Sequence, residues 1–405
     1  MYDVLLKNGE IIDPSQGIHA VGSVAIKDGR IVLVGKNSAQ VEAKKVLNME
    51  GKIIAPGLID LHCHPVAGFA WIGVPPDEIG LNTGVALLCD GGSSGAANFE
   101  TMRRFILEPA KTDIFCFLNL STTGLIRMPE ILAIRDIDVD SSKRVVEANR
   151  DVIKGIKIRA IQPLAEGLGL KGIEMAKKLA TDLRMPIMVH LGETRDRTPG
   201  DKMDDFSRAT VAMLDKGDIL SHYLTWEPGG MILKDGTIYP ELEGAQKRGV
   251  VLDSCNGLNH FSFSIARHAI AKGLIPTVIS TDMSTIGLPV VQSLAVVMSK
   301  FLNMGLSVVQ VIEMTTINSA KALGEEDKRG SLRPGMSADI TVLELLQGDY
   351  LFGDGTGGES MHSKLLLEPR MVFKGGEPMP AYSRYHIPSP FQIIGRLPAG
   401  STSKM

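Results

Sequence analysis

What this chain has little of narrows the reading first. Four cysteines in 405 residues (Cys63, Cys89, Cys116, Cys255) are too few and too scattered for a disulfide framework. Neither sign of charge dominates: 43 Lys and Arg stand against 46 Asp and Glu, a formal net charge of −3. No basic run is dense enough to act as an electrostatic footprint, so nucleic acid is not an expected partner. No apolar run reaches the roughly 20 residues that span a bilayer, so no membrane partner is expected either. The amino terminus, Met-Tyr-Asp-Val, is acidic early and does not read as a signal peptide, which makes a reducing cytoplasm the expected location. What is there is an ordinary globular composition, 44% hydrophobic and 22% charged. The chain is long enough for one large enzyme domain with an accessory one.

The first fifty residues read as short strands joined by turns. Asp3 to Lys7 and Glu10 to Ile12 flank Asn8-Gly9, while Ser23 to Lys27 and Arg30 to Val34 flank Asp28-Gly29. Asx-Gly between apolar runs predicts a hairpin at each. The same texture returns from Ala338 to Leu345 and from Lys364 to Lys374. Residues 1–54 and 330–378 are therefore expected to form one small β-domain from both chain ends, followed by a Pro- and Ser-rich tail over 379–405. Between them, β-rich runs at 58–64, 84–90, 113–121, 153–160, 186–192, 218–224, 250–256 and 276–283 alternate with helix-length segments such as Lys171 to Leu183. This α/β alternation over 55–329 predicts a (β/α)8 TIM-type barrel, with an open doubly wound sheet as the competing architecture.

Residues with metal-ligand chemistry recur at a matching interval. His62 and His64 fall on the first run, Lys157 on the fourth, His190 on the fifth, His222 on the sixth and Asp282 on the eighth. The steps are 93 residues from His64 to Lys157, 33 to His190, 32 to His222 and 60 to Asp282, all near multiples of one βα repeat. Each candidate thus sits near the carboxyl end of its own strand, where barrel enzymes keep their active sites. The second, third and seventh runs carry no candidate.

Strand parity agrees. Asp60, His62 and His64 share one face; on the fourth run Lys157 and Arg159 point inward, with Ile156 and Ile158 toward the helices. Lys154 has the outward parity. A buried lysine is costly unless neutralised. A salt bridge to a carboxylate such as Asp60 would serve. So would carbamylation by CO2, which turns the neutral amine into a carboxylate able to bridge two metals. Arg159 suits either a clamp on a substrate carboxylate or a structural ion pair. His260 and His268 are placed on the helix after the seventh run, in surface or supporting roles.

Three glycine-rich stretches need weighing. Gly167-Leu-Gly-Leu-Lys-Gly172 fits a dinucleotide-binding pattern, but seven residues separate it from Arg159, where that fingerprint needs an immediate turn. Asp90-Gly-Gly-Ser-Ser-Gly95 reads as an anion cradle or as a loop lining the site, and Asp354-Gly-Thr-Gly-Gly358 as a turn outside the barrel.

On these residues the chain resembles the amidohydrolase superfamily, binuclear-metal subtype. Pro56-Gly57-Leu58-Ile59-Asp60-Leu61-His62-Cys63-His64 matches the family's first-strand signature. Gly155-Ile-Lys-Ile-Arg159, Ser221-His222-Tyr223 and Ile279-Ser-Thr-Asp282 are most similar to its deacetylase-like branch, close to the dihydroorotases. The resemblance implies two divalent ions, zinc ahead of manganese or iron. One would be held by His62, His64, carbamylated Lys157 and Asp282, the other by Lys157, His190 and His222. It also implies a metal-bridging hydroxide as nucleophile, and Asp282 as catalytic base and then acid. The expected activity is hydrolysis of an amide or ester acyl bond in a small, carboxylate-bearing substrate, with Arg159 binding that substrate. A cyclic amidase of the dihydroorotase or hydantoinase kind is the alternative. A deaminase is less favoured, because superfamily deaminases typically use one metal and lack the strand-four lysine. A non-catalytic scaffold is less favoured because such proteins have lost ligands. A small molecule is thus the expected partner, and a homo-oligomer is compatible with this reading. Specificity is expected in the loops Pro65 to Asn82, Glu193 to Asp204 and Thr225 to Gly236.

Overall fold

In the computed structural model, residues 1–35, 42–194, 201–355 and 358–385 are described. The tail from 386 and the loop segment 195–200 lie outside them.

The chain opens with β1 (Tyr2–Asp13), β2 (Ile18–Lys27) and β3 (Arg30–Gly35), antiparallel neighbours in order. The β2–β3 hairpin turns at Asp28-Gly29, both left-handed (φ 50 and 73), as an Asx-Gly hairpin requires. Asn8-Gly9 is different: it makes no hairpin. It is a bulge inside β1, with Asn8 at φ 66 and the β2 pairing shifted between Leu6 and Gly9. The reason lies on the other edge of β1. There residues 2–7 pair with β4 (Ala43–Asn48) and residues 10–11 with β5 (Ile53–Pro56), so the strand changes neighbours at the bulge. A Cβ on Gly9 would sit 2.5 Å from Ile54.

Seven parallel strands follow in chain order: β6 (Leu58–Cys63), β7 (Val85–Asp90), β8 (Asp113–Asn119), β9 (Ile153–Ala160), β10 (Ile187–Leu191), β11 (Ile219–Ser221) and β12 (Val251–Asp253). Helices cover their outer side. Helix Leu170–Leu183 buries Ile173, Ala176, Leu179 and Leu183 in one apolar cluster with Ile156 and Ile158 of β9. The eighth run, 276–283, does not form the regular strand expected of it. It closes the gap between β12 and β6 through two isolated parallel bridges, Asp253 to Val278 and Cys63 to Met283. Asp282 N donates to His62 O at 2.7 Å and His64 N to Met283 O at 2.9 Å. A regular ladder fails here because Asp282 itself is left-handed, at φ 51.

The chain then returns to the first sheet as β13 (Ile340–Gly353), β14 (Ser360–Lys374) and β15 (Glu377–Pro380), with order β15-β14-β13-β5-β1-β2-β3. Both chain ends share that sheet, and β15 carries it two residues beyond the expected boundary at 378. Helix Leu294–Asn303 ties it to the parallel sheet: Leu367 N donates to Ser299 Oγ and Asn303 Nδ2 to Leu365 O, each at 2.8 Å. All four cysteines are buried thiols. Among the described residues no helix is long and apolar enough to cross a membrane.

Candidate active site

The strand ends meet around a cavity of about 280 Å³, lined by His62, His64, Lys157, Arg159, His190 and Asp282 together with Gly91 and His260. His222 lies behind its wall, fully buried, with its ring centroid 4.3 Å from that of His190. All six residues expected to ligate metal are therefore brought to one place. Backbone geometry helps aim them. His222 (φ 67) and Cys255 (φ 38), just past β11 and β12, and Asp282 (φ 51), within the run 276–283, all adopt the left-handed region. Non-glycine residues pay for that conformation, and it persists where surrounding structure holds it.

On the β6 side every imidazole nitrogen has a neighbour. His62 Nε2 is 3.0 Å from Lys157 Nζ, and its Nδ1 is 3.1 Å from Ser221 Oγ and 3.0 Å from Cys255 Sγ. His64 Nδ1 meets Ser93 Oγ at 2.9 Å, and its Nε2 meets Asp282 Oδ1 at 3.1 Å. Such partners fix ring orientation in metal-ligating histidines. Opposite them, His222 Nδ1 meets the Cys255 carbonyl at 2.8 Å. His190 Nε2, however, is buried without a hydrogen-bond partner among the described residues.

Burial sets the charge states. It holds His62, His190 and His222 well below the usual imidazole range, so they are neutral and each carries one lone pair able to ligate a cation. Burial also pulls Lys157 down to about 8, partly offset by Cys255, Asp282 and Asp253. Burial alone would push the Asp282 carboxyl up. The hydrogen bond with His64 outweighs it, leaving Asp282 at about 2 and ionised at neutral pH. Asp60 is not the counter-ion of Lys157. Its carboxylate accepts from Thr281 N at 3.0 Å and from Thr281 Oγ1, bracing the segment that carries Asp282, and burial raises it to about 7. Neutral imidazoles, an ionised carboxylate and an orphaned buried nitrogen form a donor set suited to a divalent cation. Donor atoms of His62, His222, Cys255 and Asp282 lie within 4.8 Å of one another.

Arg159 reaches the cavity wall and also pairs with buried Glu130, Nη1 to Oε2 at 3.2 Å, so structural pairing and a cavity position coexist. Lys154 points elsewhere, with Nζ 2.6 Å from Glu325 Oε1. The strand ends that carried no sequence candidate are not idle. After β7, Asp90 Oδ2 accepts from Gly92 N and Ser93 N at 3.1 and 2.7 Å, so the loop is a braced wall. A Cβ at Gly91 would lie 2.2 Å from the His62 ring, and one at Gly92 would lie 2.4 Å from Lys157, which explains the paired glycines. After β12 come Cys255 and His260. His260 precedes helix Phe263–Ala271 rather than sitting on it, and it is buried against the site; His268 alone is on the helix. A thiol and a histidine just beyond a strand end were the available signal.

The two other glycine stretches have packing roles. Gly169 (φ 57) precedes helix Leu170–Leu183, and Gly172 lets that helix approach Leu164. Asp354 Oδ2 accepts from Phe263 N at 3.2 Å, and a Cβ at Gly355 would lie 1.9 Å from Leu258 O, so this turn holds the loop that bears His260. Residues 356–357 of it lie outside the described residues.

Comparison with known proteins agrees with this geometry. The sequence model of the amidohydrolase family matches residues 53–379. A deacetylase from Brucella anthropi is 36% identical over 365 residues, 89% of this chain and 87% of the relative. The crystal structure of a dihydroorotase superposes with a TM-score of 0.84 at 32% identity, covering 95% of this chain and 99% of that one. That of an adenine deaminase superposes with a TM-score of 0.84 at 26% identity, covering 94% and 100%. The chain belongs to the amidohydrolase family and is a hydrolase acting on carbon–nitrogen bonds other than peptide bonds.

Proposed function

We propose that this chain is a metal-dependent, deacetylase-type hydrolase that cleaves an amide or ester acyl bond of a small, carboxylate-bearing molecule. The observation that carries the reading is the convergence of His62, His64, Lys157, His190 and Asp282 on one cavity, with His222 against its wall and Arg159 on its rim. His62, His64, Lys157 and Asp282 would hold one divalent ion, zinc by donor chemistry, and Lys157, His190 and His222 the other. Lys157 would bridge as its carbamate: near pH 8 a large share of its amine is neutral, and it adds to CO2 with loss of a proton. Bound divalent ions supply a Lewis acid that polarises the carbonyl and lowers the pKa of water.

The remaining chemistry falls to the chain's own groups. Asp282, ionised and facing the cavity, takes the proton of the attacking water and returns it to the leaving nitrogen or oxygen. Arg159 spends one of its five N–H donors on Glu130 and has others for a substrate carboxylate. Trp71, Ile72, Leu125, Met128 and Ile286 give the cavity apolar wall, while Thr194, Asn259 and Ser284 add neutral polar groups beside Arg159 and the histidines.

A panel of N-acetyl and O-acetyl amino and hydroxy acids, both enantiomers, tests this on zinc- and bicarbonate-loaded enzyme, beside dihydroorotate, hydantoins and adenine. Acetate release is the expected result. Ring opening alone would favour the cyclic amidase reading that the dihydroorotase likeness supports. Ammonia release would favour a deaminase.

A further inference from the structure

His260 has no place in the ligand set above, yet it completes a triangle of imidazoles. Its ring centroid lies 4.7 Å from that of His222 and 4.8 Å from that of His190, which are themselves 4.3 Å apart. The three come from the ends of β11, β10 and β12, and all are more than nine-tenths buried. His260 Nδ1, like His190 Nε2, is buried without a hydrogen-bond partner among the described residues. Orphaned buried nitrogens are costly and uncommon, and two on adjoining rings call for a group that both can engage. As placed, the two nitrogens make no hydrogen bond to each other or to any other described residue. A cation between them can satisfy all three rings, and three histidines are a ligand set that zinc accepts at catalytic sites. The loop bearing His260 is also fixed from outside the cavity, by Asp354 on Phe263 N and by Lys300 Nζ on Asn256 Oδ1, each at 3.2 Å. A ligand held in place beforehand costs less ordering when the ion binds.

We propose that His260 is a third imidazole ligand, beside His190 and His222, of the ion on that side of the cavity. The inference rests on the metal-dependent reading above and extends it. Metal-stripped protein titrated with zinc against a chromophoric chelator, bicarbonate present, tests it without reference to activity. The parent should take up two ions. His260→Ala should keep the first and weaken the second by about 100-fold or more, beyond the loss typical of outer partners. His268→Ala, on the following helix, should match the parent. His260→Cys, titrated with cadmium, should bind two ions and show a near-ultraviolet thiolate-to-metal band stronger than the parent's, and it decides the matter alone if the alanine variant does not fold. Two ions bound by His260→Ala at parental affinity, or no added band with His260→Cys, would overturn the inference and leave the metal reading standing. A parent that binds no ion would overturn both.

Discussion

The two sides of the cavity differ in how much of their bonding the protein already supplies. Toward β6, both ring nitrogens of His62 and His64 have partners: Ser221, Cys255 and Lys157 for the first, Ser93 and Asp282 for the second. Toward β10 and β12, His190 Nε2 and His260 Nδ1 have none among the described residues. The first side is therefore oriented by hydrogen bonds, the second by packing and by a loop anchored from behind. Substitutions on the first side should act through orientation and proton transfer. On the second they should act directly on what the nitrogens hold.

The largest effect is expected at Lys157, the group proposed to serve both sides. Lys157→Ala should lose most turnover and reduce metal content on both sides, with short carboxylic acids restoring part of it by standing in for the carbamate. Lys154→Ala is the contrast. It removes one of the two lysine partners of buried Glu325, Lys328 remaining at 3.5 Å, and should cost about 1–3 kcal/mol of stability in urea unfolding while leaving metal content alone. Equal metal loss in the two variants would mean that the bridge is not at Lys157.

Next comes the proton. Asp282→Asn keeps an oxygen ligand but cannot accept a proton, so turnover per bound metal should fall roughly 10²–10⁴-fold. Near-equal turnover per metal would make Asp282 a ligand only. Smaller is the effect of orientation: Ser93→Ala removes the partner of His64 Nδ1 and should weaken one ion by about 10-fold in a chelator competition. Ser221→Ala should do less, because Cys255 Sγ still faces His62 Nδ1.

The smallest effect tests the anchor behind the second side. Lys300 is fully buried, and its Nζ contacts Asn256 Oδ1 and the Val290 carbonyl, with the Phe261 ring and the Asp354 carboxylate nearby. Burial lowers its amine to about 7 from the usual 10.5. Below pH 7 the fold carries that buried charge at full cost. From pH 7 toward 10 the folded chain binds fewer protons than the unfolded one, so stability rises with pH. Urea midpoints of the parent should climb over that window relative to those of Lys300→Met; a constant difference would show that the amine does not titrate there.

Much of the first side was legible along the chain and less of the second. His62, His64, Lys157, His190, His222 and Asp282 stand out because barrel strands deliver one functional end per βα repeat, and repeats leave a spacing. Cys255 escaped, and His260 reads only as a surface or supporting residue, because a lone thiol or histidine after a strand has no period to set it apart. Asn8-Gly9 misled for a related reason. Local Asx-Gly chemistry specifies a left-handed backbone, but whether that becomes a hairpin or a bulge depends on which strands flank it, and here β4 and β5 flank β1. The eighth run carries strand composition, yet Asp60 and Thr281 pull it into two bridges and an aspartate turned toward the site.

The sequence by itself determined the alternation of strand and helix, the six ligand-type residues and the inward parity of Lys157, since these follow from periodicity and residue chemistry. Tertiary structure alone decided which nitrogens are satisfied, that Glu130 rather than open solvent meets Arg159, and that His260 joins His190 and His222. Those outcomes depend on contacts between segments tens to hundreds of residues apart. No local pattern encodes them, because each arises only when strands, loops and the returning sheet close on the same few ångströms of space.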